Sequence, residues 1–414
     1  MSDGRRPLRI ALLSYRGNPY SGGQGVYVHY LSKALADLGH RIEVFAGQPY
    51  PELSASVQLT SLPSLDLYRA DDPFRRPRRN EFREAIDVLE YGLMCTAAFP
   101  EPLTFSLRAA RALRARRGEF DIVHDNQSLG YGLLRIPLPT IATVHHPCSI
   151  DRDVAIAHAA GAKRKLALRR WYSFTKMQGR VTRRLSHIIS VSGAARADVI
   201  EEFRVAPERV SVVGNGVDAE LFRPLAGVER RPGRIIATAS ADIPLKGLVY
   251  LVEAVAKLQT ERRCDLVVVG KAAPNGAVRE AIDRYGVGDS VHFETGIDRL
   301  RLVELYAEAE VAVVPSLYEG FSLPALEAMS CGLPVAATKA GALPEVVGHD
   351  GDAALLVPPR DAGALAVAVG RLLDDESLRG RMGAAGRRRV LDRYTWVVSA
   401  RATVEHYNEV LERC

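Results

Sequence analysis

Short apolar runs alternate with segments of helical periodicity along the chain, and the alternation begins again after about residue 225. Such alternation indicates a parallel β-sheet covered by helices. The first half predicts strands at Leu8–Ser14, Arg41–Ala46, Ile122–His124, Thr140–Val144 and His187–Val191. The second half predicts strands at Ile235–Ala239, Leu266–Val269, Val291–Phe293, Val311–Val314, Val335–Ala337 and Leu355–Val357. The sequence therefore predicts an α/β protein with two Rossmann-like, doubly wound parallel-sheet domains that face a deep cleft.

Size and composition agree with two domains in a cytoplasmic protein. The 414 residues exceed what one hydrophobic core usually serves. The chain has no apolar run of about 18 residues, and its polar N-terminus lacks a signal-peptide pattern. The cysteines are odd in number and widely spread, which argues against a disulfide framework and a zinc site. They are Cys95, Cys148, Cys264, Cys331 and Cys414.

The segment 49–102 is rich in Pro and Arg and predicts loops with one or two irregular helices.

The most informative segment runs from Pro315 to Pro334. A predicted strand ends at Pro315, and Pro324 stands where a helix is expected to begin, since its missing N–H costs nothing in the first turn. The start of that helix offers unpaired N–H groups and partial positive charge, which suit an anion such as a diphosphate.

Two carboxylates accompany this helix start. Glu319 precedes the helix, and Glu327 lies about one turn inside it, so both could accept hydrogen bonds from sugar or ribose hydroxyls. The spacing alone carries little weight, and the alternative is two solvated glutamates, one on a loop and one on a helix face.

The whole pattern resembles the Glu-x7-Glu signature of the family 4 retaining glycosyltransferases of GT-B fold. Further similar segments cover most of the chain, with the weakest match at 52–118. They are Gly22-Gly23-Gln24-Gly25, Leu38-Gly39-His40, Thr143-Val144-His145, Ser190-Val191-Ser192, Asn215-Gly216-Val217-Asp218, Lys246-Gly247, Gly341 to Glu345, Leu356 to Pro358 and Tyr394-Thr395-Trp396.

The resemblance implies donor-binding roles at the second domain. Lys246 is expected to neutralise the donor diphosphate, Glu319 to bind the transferred sugar and Glu327 to bind the ribose. The backbone N–H groups of Gly320, Phe321, Ser322 and Leu323 are expected to contact sugar and phosphate. The family usually has an Arg where this chain has Ser240, and Ser supplies neither its charge nor its bidentate geometry.

In the first domain, the resemblance implies that Gly22, Gly23 and Gln24 approach the phosphates, since glycine permits close backbone approach. It also implies that His145 contacts the transferred sugar. The alternatives are a plain strand-to-helix turn at the glycines, a structural histidine at position 145, His146 in its place, and a surface lysine at position 246.

The family's front-face mechanism implies that the departing phosphate takes the acceptor proton, with no obligatory nucleophile, no metal and no other cofactor. A double displacement through a carboxylate is the other formal route to retention. Asp151-Arg152-Asp153 has the Asp-x-Asp pattern of a metal site, but we expect it in a loop that does not directly follow a strand, so no metal ligands are predicted.

Basic and aromatic residues mix within 163–184, and a second basic segment precedes them. No Asp or Glu occurs between Asp153 and Asp198, a stretch with ten Lys or Arg. This composition is typical of helices that contact anionic lipid, and equally of a solvated helix face with Trp171 and Phe174 buried. No nucleic-acid-binding module is recognised. The second basic segment comprises Arg108, Arg111, Arg114, Arg116 and Arg117.

The sequence therefore predicts a retaining, metal-independent glycosyltransferase that uses a UDP- or GDP-type sugar and an unidentified acceptor, either a small molecule, a glycan or a lipid. Expected domains are 1–222 for the acceptor, 223–393 for the donor, and a helix at 394–414 that crosses back to the first domain. The alternatives are a nucleotide-sugar epimerase or phosphorylase of the same fold, and a non-catalytic nucleotide-sugar-binding protein.

Overall fold

The computed structural model describes residues 6–17, 23–69, 71–239 and 243–413. The chain divides into two units, each of which has its own sheet and core. Unit 1 comprises Met1–Gly214 and Ser399–Cys414, and unit 2 comprises Asn215–Val398. The expected boundary after residue 222 thus falls within unit 2. The expected sites Gly22 and Ser240, and Cys414, lie outside the described residues.

Unit 1 contains a parallel sheet in the order β3-β2-β1-β4-β5-β6-β7. Strands β4, β5 and β6 are buried along their whole length, as strands covered by helices on both faces must be. The strands are β1 (Arg9–Ser14), β2 (Arg41–Ala46), β3 (Gln58–Ser61), β4 (Ile122–Asn126), β5 (Thr140–Val144), β6 (His187–Ser190) and β7 (Val210–Val212).

Seven helices of unit 1 connect or flank these strands. They are α1 (Gly23–Asp37), α2 (Ala85–Cys95), α3 (Glu101–Ala115), α4 (Cys148–His158), α5 (Ala162–Trp171), α6 (Phe174–Thr182) and α7 (Gly193–Phe203). The core between the sheet and the helices includes Phe45, Phe105, Leu113 and Phe203. Burial of these large apolar side chains supplies the main driving force for folding of the unit.

Unit 2 contains a second parallel sheet, in the order β10-β9-β8-β11-β12-β13. Its strands are β8 (Arg234–Thr238), β9 (Asp265–Val269), β10 (Val291–Glu294), β11 (Val311–Val314), β12 (Val335–Thr338) and β13 (Ala354–Val357). Its helices are α8 (Leu248–Gln259), α9 (Ala277–Tyr285), α10 (Arg299–Glu308), α11 (Leu323–Ser330), α12 (Leu343–Val347), α13 (Ala362–Asp374) and α14 (Glu376–Arg393). The prediction of two Rossmann-like parallel-sheet domains is confirmed.

The last helix, α15 (Trp396–Leu411), begins in unit 2 and continues into unit 1. Within unit 1, Tyr407 of this helix is fully buried, and its hydroxyl lies 2.7 Å from Nδ1 of His124 on β4. The C-terminal residues are therefore anchored in the core of unit 1.

Two strands escaped the sequence analysis, and both lie at edges of the first sheet. β3, with the sequence Gln-Leu-Thr-Ser, has no buried residue, and β7 has only three residues. The segment 49–102, expected to hold only loops and irregular helices, contains β3 and the regular helix α2. Edge strands need not be apolar on both faces, so they lack the buried run that revealed their neighbours.

The expected loop at Asp151-Arg152-Asp153 is wrong, because these residues lie inside α4. The helical interpretation of 163–184 is confirmed by α5 and α6.

Candidate active site

Two loops at the carboxyl ends of β8 and β11 are fastened together in unit 2. A 3₁₀ turn, Pro244–Lys246, is followed by Gly247 in the left-handed conformation, with φ +67°. The N–H of Leu317 donates to the carbonyl of Leu245 at 2.7 Å. A Cβ at position 247 would overlap the carbonyl oxygen of Pro315, so this close approach requires glycine. Lys246 is thereby held against the loop that carries Glu319.

Lys246 and Glu319 form an ion pair at this junction. Nζ of Lys246 donates to Oε1 of Glu319 at 2.8 Å, and Oγ of Ser316 donates to the same oxygen at 2.8 Å. Glu319 is 6% exposed, whereas the Lys246 side chain keeps 30% of its surface accessible. The pair therefore offers a partly accessible cation supported by a buried carboxylate.

A third loop, which follows β12, fixes the backbone of Glu319. The N–H of Ala342 donates to the carbonyl of Glu319 at 2.8 Å. Gly341 has φ +54°, and a Cβ there would overlap the same carbonyl oxygen. Because β8, β11 and β12 are neighbours in the sheet, these three loops meet at one edge, where ligands of such sheets bind.

The helix α11 begins directly after this loop, as predicted. Ser322 is the N-cap, and its side chain accepts from the N–H of Ala325. Pro324 lies in the first turn, and Leu323 is the first helical residue. Gly320 and Phe321 precede the cap, and the Phe321 ring contacts Tyr394 with 6.0 Å between centroids. The positive end of the helix dipole and the Lys246 ammonium thus lie on adjoining loops, an arrangement suited to an anion.

Glu327 lies on α11 beside a tyrosine of α10. The hydroxyl of Tyr306 donates to Oε2 of Glu327 at 3.3 Å and lies 3.0 Å from Oγ1 of Thr238 at the end of β8. Glu327 keeps some accessible surface, but burial of its carboxyl raises the pKa to about 7. The hydrogen bond from Tyr306 opposes this rise. Near neutral pH, the carboxyl is therefore divided between its protonated and ionised forms.

The described N-domain candidates in unit 1 lie at the carboxyl ends of β1 and β5. Gly23 and Gln24 begin α1, and Nδ2 of Asn126 donates to the carbonyl of Gln24 at 3.3 Å. His145 directly follows β5, and its Nε2 lies 2.8 Å from Oδ1 of the same Asn126. Gly23, Gln24 and His145 are therefore linked through one amide side chain.

His145 is neutral at physiological pH. Burial is the main cause that lowers its pKa to about 4, with a further contribution from His146. The ring of Tyr27 on α1 packs edge-on against it, with 4.8 Å between centroids. His146 is the less buried of the two alternatives and contacts Asp151 of α4 through Nε2 at 2.7 Å. His145 is thus the better placed candidate for a hydrogen bond to a neutral sugar.

Sequence reasoning missed the groups that hold these candidates. Oε1 of Gln127 accepts from the N–H of His145 at 2.6 Å, and its Nε2 donates to the carbonyl of His146 at 2.6 Å. Asn126 and Gln127 follow a strand that was predicted to end at His124. Their position at a carboxyl strand end was the available signal.

The two basic segments of unit 1 differ in their surroundings. Arg108 is buried and donates to Asp87 at 2.6 Å and to Glu90 at 2.5 Å, so it belongs to an internal ion-pair network. Helix α5 has no buried residue and carries the exposed cations Lys163, Arg164, Arg169 and Arg170. Among the residues that the structure describes, no helix is both long and apolar enough to cross a membrane.

Comparison with known proteins agrees with this geometry. The Glycosyltransferase Family 4 description matches residues 21–221, and the Glycosyl transferases group 1 description matches residues 228–389. The chain is 52% identical to the MMP alpha-(1->4)-mannosyltransferase of Mycolicibacterium hassiacum, over 98% of this chain and 99% of the relative. It is 29% identical to a D-inositol 3-phosphate glycosyltransferase of Thermobispora bispora, over 99% and 96%.

Solved structures show the same architecture. Sucrose-phosphate synthase from Thermosynechococcus elongatus is 26% identical, with a TM-score of 0.73 over 99% of this chain and 100% of that one. Anabaena HepE, solved with UDP and glucose, is 18% identical, with a TM-score of 0.70 over 97% and 99%, and supports the fold alone. The chain therefore belongs to glycosyltransferase family 4, has the GT-B fold and is a glycosyltransferase of the hexosyltransferase class.

Proposed function

We propose that this chain is a retaining α-mannosyltransferase that moves a mannosyl group from a nucleoside diphosphate donor to the 4-hydroxyl of an acceptor sugar. The proposal takes its sugar and linkage from the name of the relative that is 52% identical over nearly the whole of both chains. The structural observation that carries it is the 2.8 Å contact between Lys246 and Glu319 beside the start of α11.

Lys246 and the start of α11 bind the donor diphosphate. As the bond from the sugar to the diphosphate breaks, negative charge grows on the leaving oxygen, and a positioned cation stabilises that charge more than it stabilises the bound donor. The Lys246 ammonium and the N–H groups from Gly320 to Leu323 supply this stabilisation. A metal ion is therefore not required for charge neutralisation.

Glu319 and Glu327 bind hydroxyl groups of the donor. Glu319 keeps one carboxylate oxygen on Lys246 and Ser316 and offers the other to the mannosyl hydroxyls. Glu327, which the Tyr306 hydroxyl orients, accepts from the ribose hydroxyls. These contacts fix the sugar and the nucleoside relative to the diphosphate, so that binding energy is used for orientation.

Retention follows from the stereochemistry, since both the proposed donor and the product are α-linked. The acceptor oxygen bonds to the anomeric carbon on the face that the diphosphate leaves. The acceptor proton passes to the departing phosphate oxygen, and a nucleoside diphosphate is released. In this route Glu319 is a binding group, and His145 hydrogen-bonds the transferred sugar from unit 1. A double displacement would instead require a glycosyl-enzyme intermediate on a carboxylate.

Contact with an anionic membrane through residues 163–184 stays a prediction. The exposed cations of α5 favour it, whereas Trp171 packs against Phe99 and Tyr68, with centroids at 5.2 and 5.5 Å, as expected for an inward-facing aromatic.

The test is an assay with GDP-mannose, UDP-glucose and GDP-glucose, a short α-mannoside acceptor and EDTA, in which the product is identified by NMR. A new α-(1→4) mannosidic bond from one mannosyl donor supports the proposal. A β-linked product would exclude retention, and transfer only after Mg²⁺ or Mn²⁺ is restored would exclude metal independence. Neither binding nor transfer with any donor would favour a non-catalytic protein.

A further inference from the structure

A buried histidine of unit 1 has no hydrogen-bond partner at either ring nitrogen among the described residues. His187 is the first residue of β6 and is 2% exposed, yet both Nδ1 and Nε2 are buried and unsatisfied. Leaving a buried polar group without a partner costs about 1–3 kcal/mol. Such a group in a folded protein calls for an explanation, and an unmodelled ion is one of the usual ones.

Two further ligand-type side chains face His187 from α15. His406 and Glu409 are three positions apart on this helix and therefore lie on the same face. The rings of His187 and His406 are stacked with 4.9 Å between centroids, and Nδ1 of His406 lies 3.2 Å from Oε2 of Glu409. One ligand atom from each of the three residues lies within 4.8 Å of the other two.

We propose that His187, His406 and Glu409 bind a divalent cation of the zinc class, which fastens α15 to the start of β6. Two imidazoles and one carboxylate are borderline ligands that suit Zn²⁺, Co²⁺ or Ni²⁺ better than Mg²⁺ or Ca²⁺. Bonds of about 2.0–2.2 Å would draw the three ligand atoms slightly closer together. A fourth position is left for water, since the Glu409 side chain is 46% exposed.

The protonation states favour this set of ligands at neutral pH. Burial and the neighbouring His406 lower the pKa of His187 to about 4, so its ring is neutral. The hydrogen bond from His406 lowers the pKa of Glu409, so its carboxyl is ionised. Arg413 is the nearby charge that opposes a cation, because it also lowers the pKa of His187.

The position of the site indicates a structural role. All strands of this sheet are parallel, and His187 pairs with Ile141 near the start of β5, at the amino edge of the sheet. His145 lies at the opposite edge, after the end of β5. The cation would therefore stabilise the attachment of α15 without entering the transfer reaction, and this inference does not depend on the proposed function. The scattered cysteines predicted no zinc site, but none of these three ligands is a cysteine.

The test measures zinc binding to the metal-stripped full chain by calorimetry, with Cys414→Ser in every protein to remove one competing thiol. We expect one Zn²⁺ per chain and a higher melting temperature with zinc. His406→Gln and Glu409→Gln should each weaken binding at least about tenfold, an effect comparable to the loss of a supporting group at known zinc sites. His158→Gln is the matched control, since His158 is exposed on α4 and its Nδ1 contacts only the Val154 carbonyl.

Absence of saturable binding would overturn the proposal. Equal zinc affinity in the His406→Gln, Glu409→Gln and His158→Gln proteins would also overturn it, because the ion would then bind elsewhere. If Glu409→Gln lowered the melting temperature of the metal-free protein and left zinc affinity unchanged, His406 and Glu409 would form an ordinary ion pair. A Co²⁺ spectrum typical of nitrogen and oxygen ligands would separate this site from thiolate binding.

Discussion

Nζ of Lys246 lies 2.8 Å from Oε1 of Glu319, although 73 positions separate the two residues in the chain. Each residue follows a strand, and β8 and β11 are neighbours in the sheet, so the parallel topology brings the two loops to one edge. The carboxylate that holds the ammonium in place is buried, whereas the ammonium keeps access to solvent. An arriving diphosphate therefore finds a cation that is already positioned.

Replacement of Lys246 by Gln should reduce kcat/KM about 10²–10³-fold, the usual cost of losing a group that stabilises a developing oxyanion. Binding of the free nucleoside diphosphate, measured by calorimetry, should weaken as well. Lys257→Gln is the control, because Lys257 is an exposed lysine of α8 that pairs with Glu253. Equal activity of the two variants would remove Lys246 from the donor site.

Gly247 and Gly286 provide a matched pair of substitutions in unit 2. Both have φ +67°, so alanine at either position should cost about 1–2 kcal/mol of stability from backbone strain. A Cβ at 286 meets no atom within 4 Å, whereas a Cβ at 247 would overlap the Pro315 carbonyl. Gly247→Ala should therefore lose more stability than Gly286→Ala and should also lose donor affinity, as measured by thermal unfolding and calorimetry.

Unchanged donor affinity in Gly247→Ala would contradict the prediction, because it would mean that the loop carrying Glu319 tolerates displacement from the Lys246 turn.

The sequence predicted the central strands and the helix start at Ser322 because both depend on local patterns. A strand buried on both faces must be apolar throughout, as in β11, and Pro324 marks the first turn of α11. The edge strand β3 faces solvent and carries no such pattern. At Asp151, the helix begins one residue after Pro147, and the sequence analysis did not use that proline as a helix-start signal.

The partners of the site residues could not be predicted from local patterns. Asn126 holds both His145 and the backbone of Gln24, and Ser316 shares an oxygen of Glu319 with Lys246. Except for Ser316, these contacts join residues far apart in the chain, and they depend on the strand order. The Gly341 motif was noticed as a resemblance, but its contact with the Glu319 carbonyl is evident only in three dimensions.

The pKa of Glu327, raised to about 7 by burial, should appear in the dependence of kcat/KM on pH. The ionised carboxylate is the better acceptor for ribose hydroxyls, so kcat/KM should fall as pH decreases below 7, approaching tenfold per unit. Glu327→Gln should be less active at every pH and should lack this step. Tyr306→Phe removes a hydrogen bond that lowers the pKa, so its step should move to higher pH. An unchanged step in Glu327→Gln would assign the titration to another group.

Stability of unit 1 should depend on the neutral form of His124. This fully buried residue lies 2.7 Å from both the Tyr407 hydroxyl and Oγ1 of Thr143, and burial lowers its pKa to about 3. In the unfolded chain its pKa is about 6.5. Between these values the unfolded state binds a proton that the folded state does not, so the contribution of His124 is full above pH 6.5 and is lost as pH falls.

His124→Gln should therefore be less stable than the natural chain by about 1–3 kcal/mol at pH 7.5, because it weakens two buried hydrogen bonds. The difference should narrow by up to about 1.4 kcal/mol per pH unit between pH 6 and pH 4. Urea unfolding, followed by Trp171 fluorescence in a Trp396→Phe background, measures it at each pH. Burial raises the pKa of Asp125 to about 6 and acts in the opposite direction, but it affects both proteins alike. His158→Gln should show no such pH dependence, and a constant difference for His124→Gln would show that His124 does not resist protonation.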